Sequence, residues 1–255
     1  MIQFILNYTG SKYRESKELK DIDFSKYECV IEPFAGSFGF SRWLYKDKGH
    51  KNIKYIFYDT DEELISFYNH IKKLINENAL EPFIDQYNEH ITYFKNNFMK
   101  ERFLQRKEIK EYMLAIDDIN IKYMIYKNCL VGKFTKTAFK YFKNISIDDL
   151  SLLKNSEFIC DNFLNIAFTK YDKEKTLIYL DPPYILNDNT NYKDKSLENI
   201  FEVILDLYNE KYKCIFIHSY NFLLDFVFKK YHYSSYNKLY QTLKNKTSHV
   251  VYYVE

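Results

Sequence analysis

Leu177-Ile178-Tyr179-Leu180-Asp181-Pro182-Pro183-Tyr184 is a short apolar run that stops on a carboxylate and then on two prolines. The same arrangement recurs upstream. Cys29 to Ile31 stops on Glu32, Tyr55 to Tyr58 stops on Asp59, and Phe158 to Cys160 runs into Asp161. Cys214 to Ile217 supplies a fifth run. Short continuous apolar runs are the pattern of strands buried on both faces, as in a parallel sheet. Between them lie helical periodicities. Asp61 to Ile75 sets Leu64, Ile65, Tyr68, Ile71 and Ile75 on one face, and Ser196 to Tyr212 does the same with Leu197, Ile200, Phe201, Ile204, Leu205 and Tyr208. Strands alternating with helices predict an α/β fold with ligands at the carboxyl ends of the strands, where the acids stand. Tyr231 to Tyr240 and His249 to Val254, flanking the polar stretch Gln241 to Ser248, predict a terminal hairpin.

Residues 76–155 break the alternation. They show helical periodicity without strand patterning and are too long for an ordinary crossover, so they are expected to form an inserted helical subdomain.

Composition narrows the class. Hydrophobic residues at 46 % and charged residues at 28 % are globular values, and no run approaches the roughly 18 apolar residues of a membrane span. The start lacks a signal-peptide layout, so an intracellular, cytoplasmic protein is expected. Four scattered cysteines without CxxC spacing argue against a disulfide framework or a zinc site, and no metal is expected. A balance of 37 basic to 35 acidic residues leaves the question of a polyanionic partner to local clusters. The 26 Tyr and 22 Phe beside 5 Gly and 4 Pro fit an A+T-rich coding sequence, of a kind found in viruses and mobile elements. Against that drift, a Gly or Pro at a strand end carries more weight than a Lys or Tyr.

The residue types at the fourth strand end fit one kind of chemistry. An exocyclic amine such as adenine N6 is a poor nucleophile because its lone pair is delocalised into the ring. If the Asp181 carboxylate and the Pro182 carbonyl each accept one N6 hydrogen, the nitrogen moves toward tetrahedral geometry and its lone pair can face an electrophilic methyl group. Pro182 and Pro183 stiffen the turn, and Tyr184 offers a flat face to an extruded base. Taken alone, these four residues also fit a strand ending in a proline turn with a capping Asp. The stretch Glu32-Pro33-Phe34-Ala35-Gly36-Ser37-Phe38-Gly39 is a strand-to-helix glycine turn of the kind that lets a ligand approach the backbone. Asp59 follows it by roughly 20 residues, the spacing at which an acid accepts from ribose hydroxyls. Asp161 can accept from an adenine amino group while Phe163 packs on the ring.

In this order the motifs resemble the Dam-like DNA adenine N6-methyltransferases. The resemblance runs from Asn7-Tyr8-Thr9-Gly10-Ser11-Lys12 through Glu32 to Gly36, Asp59, Leu64-Ile65-Ser66-Phe67-Tyr68-Asn69 and Asp161 to Asp181-Pro182-Pro183-Tyr184. It implies a Rossmann-like methyltransferase domain, residues 1–75 and 156–255, with a mixed, mostly parallel seven-stranded sheet, and a target-recognition role for the insertion, residues 76–155. It further implies S-adenosylmethionine as cofactor, surrounded by Tyr8, Lys12, Glu32, Phe34, Ala35, Gly36, Asp59, Asp161, Phe163 and Asp181. The implied reaction is methylation of N6 on an adenine flipped out of double-stranded DNA. A monomer or weak dimer is expected, and a cognate restriction endonuclease is a candidate partner that the sequence does not itself reveal. Two departures stand out. Phe38 occupies a position where family members place glycine, which would narrow the cofactor turn or shift its backbone. The insertion lacks the family's Asn-rich segment and Pro-Phe-Gly ending.

Lys133, Lys136, Lys140 and Lys143, interleaved with Phe134, Phe139 and Tyr141, are candidate phosphate and stacking contacts, and read equally well as a solvated face. Lys193 and Lys195 after the tetrad, and Lys244 and Lys246 between the last strands, are candidate positioning contacts. Two rival readings remain at this level: the same chemistry on RNA adenine, cytosine N4 or a protein glutamine, and a non-catalytic binding module, for which Phe38 and the altered insertion speak. Asp before Pro-Pro favours adenine by resemblance.

Overall fold

In the computed structural model the described residues are 4–6, 11–98, 106–130, 141–142, 145–182, 197–239 and 246–254. The chain divides into two compact units, Met1–Ser11 with Glu63–Asn155, and Lys12–Glu62 with Ser156–Glu255. The helical unit thus takes in residues 1–11 and 63–75 as well as the stretch 76–155 that its periodicity marks.

The second unit is built on one mixed sheet. Its strands are β1 (Cys29–Glu32), β2 (Lys54–Asp59), β3 (Glu157–Cys160), β4 (Thr176–Leu180), β5 (Lys213–Ser219), β6 (His232–Leu239) and β7 (Lys246–Tyr253), in the order β3-β2-β1-β4-β5-β7-β6. The first five are mutually parallel, and β7 runs antiparallel to both β5 and β6. This is the mixed, mostly parallel seven-stranded sheet of a Rossmann-like α/β fold. The apolar runs are strands because both sheet faces are covered: every residue of β4 is buried, and all of β5 except Lys213. The order reverses between β1 and β4, so the carboxyl ends of these two neighbours flank the crevice in which such sheets bind ligands.

Helix α1 (Gly39–Lys46) covers one face, where Phe40 stacks on Tyr179 with ring centroids 4.2 Å apart and Trp43 packs edge-on to Phe24. On the other face, α7 (Leu197–Asn209) and α8 (Phe222–Phe228) pack on β4, β5 and β7 through Ile204, Tyr208, Phe216, Phe228 and Tyr252. Tyr208 adds a hydrogen bond from its hydroxyl to the Tyr252 carbonyl, which closes the polar end of an otherwise apolar core.

The first unit is helical among its described residues: α2 (Glu62–Asn76), α3 (Leu80–Phe98), α4 (Arg106–Leu114), α5 (Ile119–Ile125) and α6 (Ile147–Asn155), with a π-turn at Tyr126–Leu130. Phe83, Tyr87, Ile91 and Phe94 form the buried stripe of α3 at helical spacing. Asp118 caps α5 by accepting from the Asn120 and Ile121 amides. Asn88 on α3 holds Phe142 by both backbone groups: its Nδ2 donates to the Phe142 carbonyl at 2.9 Å and its Oδ1 accepts from the Phe142 amide at 2.8 Å. No helix among the described residues is long and apolar enough to cross a membrane.

Candidate active site

Parallel strands that end at one edge of a sheet carry their terminal residues there together, and four acids arrive by this route. Glu32 closes β1 and is buried, with its Oε1 accepting from the Ser41 amide in the first turn of α1 at 2.8 Å. Burial pushes its carboxyl up to about 8. The Ser41 hydrogen bonds oppose the rise, the Asp181 charge adds to it, and the Lys12 charge opposes it.

The turn from β1 to α1 depends on backbone that L-residues avoid. Gly36 has φ 46°, and Phe38, the residue before α1, has φ 39°. Glycine meets the first requirement without strain. Phe38 meets the second at a cost of about 1–2 kcal/mol. Its ring, expected to narrow the turn, is fully buried in the core, stacked on Phe57 at 4.5 Å and tilted on Phe158 at 5.8 Å. The backbone therefore takes the left-handed form that glycine would supply, and the side chain is absorbed against β2 and β3.

Asp59 closes β2 and is tied to that turn. Its Oδ2 accepts from the Gly36 amide at 3.0 Å and its Oδ1 from the Asp61 amide at 3.0 Å. The carboxylate is half-buried and held by two backbone donors, so its direction is set before any ligand arrives. Asp161 follows β3. Its amide donates to the Asp59 carbonyl at 3.2 Å, and its Oδ1 accepts from the Asn162 amide at 2.7 Å and from Asn165 Nδ2 at 2.9 Å. Phe34 of the turn and Phe163 lie with ring centroids 5.1 Å apart, forming an apolar floor beside the two acids.

Asp181 follows β4 and receives the Lys12 ammonium on Oδ2 at 2.5 Å. Lys12 is 7 % exposed, and its carbonyl is bonded in turn by the Ser16 amide and hydroxyl, which hold its backbone at the head of the short 3-10 turn Glu15–Leu19. Pro182 is buried. The structure thus brings Lys12, Glu32, Phe34, Ala35, Gly36, Asp59, Asp161, Phe163, Asp181 and Pro182 together in the sheet unit. Tyr8, Pro183, Tyr184, Lys133, Lys136, Lys140, Lys143, Lys193, Lys195 and Lys244 lie outside the described residues, as does the side chain of Lys246 at the start of β7.

The fifth strand adds residues that the acid pattern passes over. His218 and Ser219 close β5, and Ser219 pairs with His249 on β7. All three are buried, and His218 Nδ1 donates to the Ser219 carbonyl at 2.7 Å. Burial presses the His218 imidazole down to about 4, and the Lys12 charge adds to that, so the ring is neutral at ordinary pH. Their position just after the run Cys214 to Ile217 was the available signal, but no carboxylate marks it.

A row of carboxylates along the ends of successive parallel strands, with a glycine turn on the first, is matched over nearly the whole chain by one family model, that of the D12 class N6 adenine-specific DNA methyltransferases, across residues 8–251. The chain belongs to that family. No curated protein matches it. Members of this family are enzymes that methylate adenine N6 in DNA, which makes DNA the substrate and selects adenine over the other amines that the tetrad alone leaves open. The same match speaks against the non-catalytic reading, since members of the family are enzymes.

Proposed function

We propose that the protein methylates a flipped-out adenine in a specific double-stranded DNA sequence, using S-adenosylmethionine bound along the strand ends β1 to β3. The reading is carried by the placement of Asp181, paired with Lys12, next in the row to Glu32, Asp59 and Asp161. The residues present fit the cofactor. Asp59, aimed by two amides, matches a ribose diol; Asp161 matches an adenine amino group; Phe34 and Phe163 offer an apolar face to the ring; and the Gly36 turn leaves backbone accessible. S-adenosylmethionine supplies a methyl group on a sulfonium sulfur, whose departure leaves S-adenosylhomocysteine.

The chain's own part is positioning. Asp181 and the Pro182 carbonyl accept the two N6 hydrogens, so the nitrogen lone pair is freed from the ring and directed at the methyl carbon. As the N–C bond forms, positive charge grows on N6, and the Asp181 carboxylate stands against it until one N6 proton is released to water. Lys12 fixes the direction of that carboxylate. Tyr184 stacks on the extruded base, and the helical unit, with Lys133 to Lys143, contributes to choosing the target. Lys193, Lys195, Lys244 and Lys246 position the duplex. Such an intracellular enzyme protects DNA from a cognate restriction endonuclease or marks it, and resistance of DNA from expressing cells to digestion distinguishes the two.

Transfer of labelled methyl from S-adenosylmethionine to DNA tests the proposal. Wild type is expected to label N6-methyladenine and Asp181→Ala to lose at least about 10²-fold in rate. Equal incorporation by both proteins would overturn the assignment.

A further inference from the structure

Helix α8 is apolar on both sides, yet only one side is buried against other described residues. Leu224 and Phe228 are buried, the latter edge-on to Phe216 and Tyr208 at 5.3 and 5.0 Å. On the opposite side Phe222 is 70 % exposed, Leu223 69 %, Phe226 74 % and Val227 45 %, and Tyr220 just before the helix is 50 % exposed. Positions i, i+1, i+4 and i+5 form one continuous face of a helix. With aromatic side chains offering roughly 150–250 Å² each, the five together leave on the order of 600 Å² of apolar surface in water. That is the upper limit of the largest patch on an ordinary monomer, and close to the roughly 800 Å² each partner contributes to a standard interface.

We infer that this face is a self-association surface, occupied by α8 of a second copy in an antiparallel two-fold arrangement. The sequence of the helix is complementary to itself in that arrangement. A two-fold axis through the middle of the face sets Phe222 against the partner's Val227 and Leu223 against the partner's Phe226, a large side chain meeting a smaller one each time. At the ends it brings Lys229 beside the partner's Tyr220, an exposed cation against an exposed ring, and it opposes no like charges. Asn221 stiffens the helix for this role by accepting from the Leu223 and Leu224 amides, at 2.9 and 3.4 Å. Nucleic acid fits the face less well. The four-residue surface carries no cation, so a phosphate backbone would be desolvated against Phe and Leu, with Lys229 and Lys230 following the helix at one end. An area somewhat below the standard predicts association in the micromolar range.

Sedimentation of the full chain between about 1 and 100 µM decides the question, a range set by the micromolar expectation. The wild-type mass is expected to rise from 31.1 kDa toward twice that value, and Phe226→Glu to remain at 31.1 kDa at every concentration. Phe226 is exposed, and circular dichroism is expected to show the same fold and melting transition in the two proteins. A wild type that stays monomeric throughout overturns the inference, whether or not Phe226→Glu weakens retention on DNA. So does a dimer that survives undiminished in Leu223→Glu combined with Phe226→Glu.

Discussion

Lys12 and Asp181, 169 residues apart in sequence, form a largely buried ion pair, the ammonium 2.5 Å from Asp181 Oδ2. The pair joins the amino-terminal motif to the end of β4. It explains why a lysine belongs beside an acid whose task is to accept hydrogen bonds: the cation fixes the carboxylate in one direction and offsets its charge in a site sheltered from water.

Replacing one partner alone strands the other. Lys12→Met is expected to destabilise the protein by about 3 kcal/mol and to slow methyl transfer by about 10²-fold or more. Lys12→Met combined with Asp181→Asn is expected to regain most of the stability and none of the activity. Urea unfolding and labelled-methyl transfer read the two effects separately; a double mutant no more stable than Lys12→Met would show that the pair is not coupled.

The Asp59 carboxylate uses both oxygens as acceptors for backbone amides, so Asp59→Asn places an amide nitrogen against an N–H donor. The loss of a charge-assisted hydrogen bond corresponds to about 1.5–3 kcal/mol, or roughly 10–100-fold in affinity. Calorimetric titration with S-adenosylmethionine is expected to show that weakening. Unchanged affinity would remove Asp59 from the cofactor site.

Phe38→Gly sets two effects against each other. Relief of the left-handed backbone returns about 1–2 kcal/mol, while the loss of a fully buried ring stacked on Phe57 costs about 3–5 kcal/mol. Burial should win, leaving the variant about 2 kcal/mol less stable, by the same two magnitudes. A glycine variant that unfolds at higher denaturant than wild type would reverse that ranking.

Glu32 and His218 give stability a defined pH dependence. In the folded protein Glu32 holds its proton up to about pH 8, whereas the unfolded chain releases it near 4.5, so its contribution falls as pH rises through that window. His218 is held neutral down to about pH 4 against an ordinary value of 6.5, so its contribution is lost as pH falls from 6.5 toward 4. The two slopes oppose each other between 4.5 and 6.5, and Glu32 acts alone between 6.5 and 8. Thermal unfolding of Glu32→Gln, which mimics the protonated form and still accepts from Ser41, is expected to lose the decline above pH 6.5. The same slope in both proteins would place the titration elsewhere.

The strands and the acids that end them were legible because a buried parallel strand writes its burial into adjacent residues, and the turns after Glu32 and Asp181 add Pro or Gly at the next positions. The positions of β1 to β5, the terminal hairpin, and the sequence of Glu32, Asp59, Asp161 and Asp181 all follow from that local pattern. His218 and Ser219 escaped it, since a neutral histidine at a strand end looks like any core residue until its neighbours are known. The family match bears out adenine and DNA, which the order of the motifs implied by resemblance and no single strand end states alone.

What the sequence by itself determined, then, is which residues reach the carboxyl edge of the sheet, because strand length and turn chemistry are properties of neighbours in the chain. Only the tertiary structure decided which of those residues meet. The strand order β3-β2-β1-β4-β5 sets β4 beside β1 although some 140 residues separate them, and it places Lys12 on Asp181, the Gly36 amide on Asp59, and the ring of Phe38 in the core rather than in the turn. Those contacts depend on how distant elements pack, and spacing along the chain carries no record of it.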